Sequence, residues 1–351
     1  MRRLVGTYAL CHFAVDLCCV ATVLCVVAPA LGSTGIVTAA LAVVAYDLVA
    51  FMLQLPIGAA LDGCAGGMRS ALLSYGLVVA GVLASYVPAG ACMAASVALV
   101  AVGNALFHCA GGVDALGMSH GRATPSGIFI ATGAFGVFLG ARASLMFGAV
   151  LRVVLLALMA ASALVTRGLM SNSRTSGIRR RIEAPRLAPA AAGAVALLAV
   201  TVALRSYAGM VMAFPWKGDA TLALASILGV VAGKAAGGIV ADRIGLERAS
   251  VISLGVSAPL FLLAFEHPAA GIVATLLFNF TMPITLISLA ELLPGNRGLA
   301  FGIASFSLAV GALPSFAGIM AASGPALAAL SLASLAFLLT GLAAARRAHD
   351  G

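Results

Sequence analysis

Apolar runs of about 20 residues recur along the whole chain and are separated by short polar loops. A helix of that length crosses the roughly 30 Å of hydrocarbon in a bilayer. The period-two alternation that marks strands of a membrane barrel does not occur in the sequence. The pattern therefore predicts twelve membrane-spanning helices, at 6–29, 36–61, 70–87, 91–116, 125–141, 143–166, 190–214, 220–241, 249–265, 269–292, 298–320 and 324–345.

The composition assigns the chain to a membrane. Of its 351 residues, 62% are apolar and 9% are charged, whereas about a quarter of the residues in a soluble domain are charged. Such a surface requires lipid as its solvent, so we expect an all-α integral membrane protein. The apolar run after the basic start "MRRLVG" is too long for a signal peptide, which predicts an uncleaved first helix.

The basic residues predict the orientation. If the termini share one side of the membrane with the loops that follow even-numbered helices, that side holds fifteen of the twenty Lys and Arg residues. Cytoplasmic loops carry such an excess. We therefore expect a multi-pass plasma-membrane protein with cytoplasmic N- and C-termini. The net charge of +9 then reflects topology, and we expect no nucleic-acid partner.

One long polar stretch, "RGLMSNSRTSGIRRRIEAPRLAP", divides the chain near its middle. We predict an N-terminal six-helix bundle over 1–166, a basic cytoplasmic linker over 167–189 and a C-terminal six-helix bundle over 190–351. A shift of 175 residues aligns Asn104 with Asn279 and Arg122 with Arg297, which indicates that the halves are repeats. Two such repeats with a binding site between them are typical of secondary transporters.

Two similar stretches end helices 2 and 8 at the predicted cytoplasmic face, "LQLPIGAALDGCAGGMRS" and "GKAAGGIVADRIGLERAS". Their small residues allow a neighbouring helix to approach closely. We expect their aspartates to pair with nearby arginines in one conformation and to separate in another, so that they form a gate. The predicted gate residues are Gly58, Asp62, Arg69, Gly238, Asp242, Arg243, Gly245 and Arg248.

The second stretch resembles the cytoplasmic loop motif of the major facilitator superfamily, roughly G-x-x-x-D-R-x-G-R-[KR]. Its matching residues are Gly238, Asp242, Arg243, Gly245 and Arg248. The first stretch keeps Gly58, Asp62, Gly67 and Arg69 but has Gly63 where arginine is usual. The resemblance implies a major facilitator fold of twelve helices in two bundles.

Three further segments are similar to the fosmidomycin-resistance-type exporter branch of that superfamily. They are "GNALFH" in helix 4, "LRSYAGMVMAFP" in helix 7, and "MPITLISLAELLP" followed by "GLAFGI" at helices 10 and 11. This resemblance implies proton-driven efflux by an antiporter and leaves the substrate open. Cys109 replaces the proline that usually follows Phe-His in that branch.

Ionisable residues within the apolar runs are the candidates for chemistry, because each costs roughly 2.5–3.5 kcal/mol at the bilayer centre. We expect Asp16 of helix 1, with Asp47 of helix 2 as its substitute, to carry a coupling proton. Arg205 of helix 7 lies at a depth similar to that of Asp16, so we expect these two to face each other. Arg205 and Lys234 would attract an anionic or amphiphilic small molecule. An alternative is that the charges form a static ion pair that fixes packing.

Polar residues in helices 4 and 10 complete the candidate site. His108 and Asn104 lie one helical turn apart on one face of helix 4, where a histidine could join a proton relay. Asn279 occupies the equivalent position in the second half, and both asparagines could bond between helices or contact substrate. Arg152 of helix 6 is a further buried base.

The sequence favours a secondary transporter of a small molecule, coupled to protons and acting as a monomer in the lipid bilayer without a cofactor. A membrane-embedded sensor with the same fold and no net flux is an alternative. A metal-ion transporter is another, because His12, Asp16 and Cys19 form a stripe on helix 1. An enzyme is disfavoured because the H-E-x-x-H motif does not occur and the sequence shows no nucleophile paired with a base.

Overall fold

The computed structural model describes residues 2–32, 35–63, 67–172, 187–320 and 323–350, and all regular structure in these ranges is helical. The helices are α1 (Arg3–Gly32), α2 (Ile36–Leu61), α3 (Gly67–Ala84), α4 (Gly90–Gly117), α5 (Thr124–Gly140), α6 (Ala143–Met170), α7 (Pro189–Val211), α8 (Ala220–Ile244), α9 (Leu246–Leu263), α10 (Pro268–Leu292), α11 (Arg297–Phe316) and α12 (Gly324–Ala348). Eleven of them are long and apolar enough to cross a membrane, and α5 is a shorter apolar helix.

Most of the predicted boundaries lie within four residues of those in the structure. Helical backbone extends one residue before the first span, to Arg2, where residue 6 was expected, and two residues beyond the sixth span, to Asn172, where 166 was expected. Arginines with long apolar stems extend such helices, since their charged heads reach the aqueous interface while the stems stay in the apolar region. The first six positions of the predicted linker are therefore helical, and 173–186 lie outside the described residues.

The helices pack as two groups of six. In the first group α1 packs against α5 and α3 packs against α4, and in the second α7 packs against α11 and α12. Between the groups α8 packs along α5, and α11 packs along the last two turns of α2. The contact surface between the two bundles therefore consists of two crossed helix pairs.

Glycines allow the two helices of each pair to approach until their backbones are in contact. A Cβ atom at Gly58 of α2 would collide with the carbonyl group of Gly298 in α11, and one at Gly238 of α8 would lie 2.7 Å from the carbonyl oxygen of Ala123. Both contacts lie at the end of the bundles that also carries the chain termini. A larger residue at either glycine cannot be accommodated without separating the bundles at that end.

We predict that Gly58→Leu opens this end of the protein. The native thiol of Cys109 is buried and donates to the Gln54 carbonyl of α2, so it reports on this contact. In a chain that keeps only this cysteine, Gly58→Leu should raise its rate of maleimide labelling about tenfold or more, because the open conformation becomes more populated. The same substitution at Gly76, whose Cβ position has no neighbour within 4 Å, should leave the rate unchanged. Equal rates in both variants would contradict the assignment.

Candidate functional site

Asp62, at the end of α2, binds the first turn of α11 in the opposite bundle. Its carboxylate oxygens accept hydrogen bonds from the backbone N–H groups of Gly298, at 2.6 Å, and Leu299, at 2.8 Å. The first N–H groups of a helix have no partner within the helix and form the positive end of its dipole. A carboxylate satisfies both requirements at once, so Asp62 acts as an N-cap supplied by the other bundle.

Asp242, in the last turn of α8, binds the first turn of α5 in the same way. Its oxygens accept from the N–H groups of Ala123, at 2.6 Å, and Thr124, at 3.0 Å, and also from the Thr124 hydroxyl. The donors of the two contacts are separated by the same 175 residues that align the halves of the sequence. We call these two symmetric contacts the aspartate latches.

The gate aspartates bind backbone N–H groups, whereas arginine side chains were expected from the sequence. The side chains of Arg69, Arg243 and Arg248 are exposed and form no ion pair with Asp62 or Asp242 among the described residues. A helix N-terminus offers two fixed donors, whereas an arginine on the surface loses solvation and rotamer entropy when it pairs. Burial raises the pKa of Asp62, and its backbone donors and Arg297 oppose that shift.

Four polar side chains of α1 and α4 meet inside the first bundle, and we call them the His–Asp cluster: His12, Asp16, Asn104 and His108. Asn104 donates to Asp16 at 2.9 Å, and the Nε2 atoms of the two histidines lie 2.7 Å apart. Asp16 oxygens lie 3.2 Å from His12 Nε2 and 3.5 Å from His108 Nε2. The cluster is almost fully buried, with Asp16 7% exposed.

Helix geometry and a missing side chain explain why this cluster forms. His12 and Asp16 are four residues apart on α1, and Asn104 and His108 are four residues apart on α4, so each pair shares a helix face. Gly133 of α5 covers the cluster, and a Cβ atom there would overlap both His12 and Asp16. The ring of Phe129, also on α5, stacks on His12 with centroids 4.8 Å apart.

The His–Asp cluster is a group of possible metal ligands, whose atoms all lie within 4.8 Å of one another. In this structure, however, the two histidine Nε2 atoms lie 2.7 Å apart, which is the separation of a hydrogen-bonded pair. Helix 1 thiols add no ligands, because they donate to backbone carbonyl groups: Cys18 to Leu155, Cys19 to Val100 and Cys25 to Gly140.

A cavity of about 460 Å³ lies mainly in the second bundle, among α7, α8, α10 and α11, and Phe138 and Arg142 of the first bundle complete its lining. Its volume falls in the range of sites for small molecules, roughly 300–1,000 Å³. Four basic residues and no acidic residue line it. We call it the basic cavity, and its basic residues are Arg142, Arg205, Lys217 and Lys234.

Arg205 is a buried base of this cavity with unpaired hydrogen-bond donors. It is 4% exposed and donates from Nη2 to the Phe278 carbonyl at 3.0 Å, while its Nε and Nη1 atoms have no partner. That carbonyl is available because α10 is interrupted between Phe278 and Thr281, where the N–H of Met282 bonds to the Asn279 carbonyl instead of to Phe278. A buried guanidinium with unpaired donors is costly unless an anion completes its bonding.

The other polar groups of the cavity extend from mid-membrane to the end opposite the termini. Lys234 of α8 forms no hydrogen bond or ion pair within the described ranges, and Asn279 donates to the Thr275 carbonyl of its own helix at 2.8 Å. Lys217, in the short turn after α7, donates to the Met212 carbonyl at 2.9 Å, and burial lowers the pKa of this lysine. Ser206, Ser226 and Thr275 add hydroxyl groups to the wall, and phenylalanines, methionines and aliphatic residues form most of the remainder.

The predicted charges thus form two sites instead of one. The expectation that Asp16 and Arg205 face each other as partners is wrong in this conformation, because Asp16 bonds within the first bundle and Arg205 within the second. Asp47 is half-buried and has no hydrogen bond or ion pair among the described residues. Arg152 lies over the ring of Tyr86 at 4.6 Å and does not line the basic cavity.

Some contributors have only a weak signal in the sequence. His12 stands four residues before Asp16, a spacing visible in the sequence, but its contact with His108 depends on how α1 packs against α4. Gly133 belongs to a glycine-rich helix in which no single glycine stands out. Arg142 and Lys217 lie at helix ends, where bases usually face water, and only the fold brings them into the cavity.

Comparison with known proteins identifies the fold. The sequence matches no protein-family model and no curated protein sequence. Solved structures are similar over nearly the whole chain. The human organic anion transporter MFSD10 (TETRAN) has a TM-score of 0.69 at 14% identity, with 97% of this chain and 99% of that chain covered. A bacterial homologue of the iron transporter ferroportin has a TM-score of 0.67 at 15% identity, with 99% and 100% covered.

The E. coli fucose:proton symporter FucP has a TM-score of 0.68 at 12% identity, with 95% of this chain and 98% of that chain covered. At these identities the similarity shows the fold alone. The chain therefore has the major facilitator fold, with twelve helices in two six-helix bundles.

We predict that Gly133→Ala destabilises the protein, because the added methyl group would overlap His12 and Asp16. Overpacking of this kind costs about 1–3 kcal/mol. Thermal unfolding in detergent should therefore show a lower midpoint than the wild type. Gly193→Ala is the matched control, since its Cβ position has no neighbour within 4 Å. An equal midpoint for both variants would show that Gly133 is not required for the cluster.

Proposed function

We propose that this protein is a secondary active transporter that moves a small organic anion across the membrane by alternating access, coupled to protons. The observation that carries the proposal is Arg205, buried at the basic cavity with two guanidinium nitrogens unpaired. The proposal also draws on the major facilitator fold, which many transporters share. The anionic substrate itself is inferred from this cavity and not from the similar structures.

An anion suits the basic cavity for two reasons. Arginine binds carboxylates and phosphates through paired N–H donors, and a hydrogen bond to a charged group contributes about 1.5–3 kcal/mol. Lys234 and Lys217 add positive charge in a poorly solvated space, where an anion offsets their desolvation. The apolar wall of the cavity favours an anion with an apolar body, such as an aromatic carboxylate or an alkyl phosphonate.

The His–Asp cluster supports proton coupling. Titratable groups buried in a membrane helix bundle are costly and mark ion or proton pathways. This cluster lies in the bundle opposite the basic cavity, so a change in its charge acts across the surface between the bundles. The direct contact of the two histidine nitrogens, at hydrogen-bond distance, favours a proton over a metal ion at this cluster.

Location and direction of transport rest on the sequence. The excess of basic residues on the side of the termini supports cytoplasmic termini in a plasma membrane. The resemblance to fosmidomycin-resistance-type exporters supports efflux by proton antiport. MFSD10, which has a similar fold, is described as an organic anion transporter. A sensor with this fold would bind the anion without moving protons or substrate.

Reconstitution with a pH-sensitive dye tests the proposal. Liposomes that contain the protein and luminal pyranine, with no imposed gradient, receive a panel of carboxylates, phosphonates and cationic drugs of equal size. We expect anions, and not the cations, to change the luminal pH. Anion binding without any change in luminal pH would favour the sensor, and a response to cations alone would exclude the anion site.

We predict that Arg205→Gln lowers the affinity for the responding anion about 10- to 100-fold, because it removes charge-assisted hydrogen bonds. Titration of the purified protein by calorimetry would measure the affinity. Arg152→Gln is the matched control, since it removes a membrane-embedded arginine outside the cavity and should leave the affinity unchanged. Loss of affinity in both variants, or in neither, would contradict the assignment of Arg205.

A further inference from the structure

Each histidine of the His–Asp cluster has one ring nitrogen bound to a backbone carbonyl group. His12 Nδ1 lies 2.7 Å from the Phe129 carbonyl oxygen, and His108 Nδ1 lies 2.9 Å from the Asn104 carbonyl oxygen. A carbonyl oxygen only accepts, so both Nδ1 atoms carry a hydrogen. The tautomers are thereby fixed, and Nε2 is the nitrogen of each ring that can accept a further hydrogen.

The two Nε2 atoms face each other at 2.7 Å, with Asp16 oxygens 3.2 and 3.5 Å away. If both rings were neutral, two nitrogen lone pairs and a carboxylate would meet in one buried space. Lone pairs repel at this distance, whereas an N–H···N hydrogen bond has about this length. A hydrogen shared between Nε2 of His12 and Nε2 of His108 removes the repulsion of the lone pairs, and the positive charge that it adds faces the Asp16 carboxylate.

A proton on Asp16 does not replace this hydrogen. A protonated Asp16 could donate to one histidine, but the contact between the two Nε2 atoms would still lack a hydrogen. Asn104 already donates to Asp16 at 2.9 Å, which suits an ionised carboxylate that accepts hydrogen bonds. Asp16 therefore has the position of a counter-charge beside the histidine pair.

Building on the proposed proton-coupled function, we propose that the coupling proton is bound between Nε2 of His12 and Nε2 of His108, with Asp16 as its counter-charge. A hydronium ion from water on the open side transfers the proton to one Nε2, where an N–H bond forms and water is released. The same bond breaks when water on the other side accepts the proton. With the proton bound the cluster is neutral overall, and without it the cluster carries one negative charge.

Titratable groups of three helices interact electrostatically with the cluster. Cys19 of α1 and Tyr46 of α2 interact with Asp16. Lys234 of α8 interacts with both Asp16 and His108. Lys234 also lines the basic cavity, so it connects the proton site with the proposed anion site.

Nitrogen-15 solid-state NMR tests the position of the proton directly. The full chain, with ring-labelled histidines, is reconstituted in lipid, where its five histidines give resolved classes of signal. We expect one histidine pair with a hydrogen shared between two Nε2 atoms. His12→Gln and His108→Gln should each abolish it, because each removes half of the pair. Asp16→Asn keeps both nitrogens but removes the counter-charge, so the shared hydrogen should persist only at lower pH than in the wild type. His267→Gln, at an exposed position, should not affect it.

The same variants separate this proposal from the proposed function when proton movement and anion exchange are measured in liposomes. His108→Gln should lose anion-dependent proton movement, while anion-for-anion exchange continues. Asp16→Asn should still move protons, but only at a lower pH than the wild type, because both nitrogens remain and the counter-charge is lost. Proton movement lost in Asp16→Asn and kept in His108→Gln would overturn the proton site. Absence of anion exchange in the wild type would instead contradict the proposed function and leave the NMR result standing.

Discussion

The structure depends on two carboxylates that cap helices of the opposite bundle. Asp62 holds the first turn of α11, and Asp242 holds the first turn of α5. Lipid provides little hydrophobic force between helices, so packing and polar contacts hold membrane bundles together. The latches place such contacts at one end only, and that end is closed. The basic cavity extends instead toward the other end, where Lys217 and Arg142 lie.

The charges are divided between the bundles. The first bundle holds the His–Asp cluster, and the second holds the basic cavity without an acidic residue in its lining. A rocking motion that releases the latches would change the distance between the two sites, and the field of one acts on the other through Lys234. A transporter requires such a link between its binding sites and its conformation, because a ligand shifts an equilibrium only by binding one state better than the other.

Much of the fold could be predicted from the sequence, because bilayer thickness sets helix length and positive residues mark one side. The gate aspartates and most polar residues of the sites were also identifiable as costly charges in apolar runs. The groups that these side chains bind could not be predicted from the sequence. The pairing of Asp16 with His12 and His108 depends on the packing of α1 against α4 and on the space left by Gly133. Likewise, the partners of Asp62 and Asp242 are backbone groups, which no side-chain pattern reveals.

The central claim is that opening at the latched end and opening at the other end are alternatives, so that one end closes when the other opens. Double electron–electron resonance measures it in a cysteine-free background with two label pairs at exposed positions. One pair, Arg122 and Pro294, lies in loops at the latched end, and the other, Val87 and His267, lies at the opposite end. Replacing both Asp62 and Asp242 with Asn should lengthen the first distance and shorten the second, because the caps that favour closure are weakened. Two distances that stay constant, or that lengthen together, would contradict alternating access in this protein.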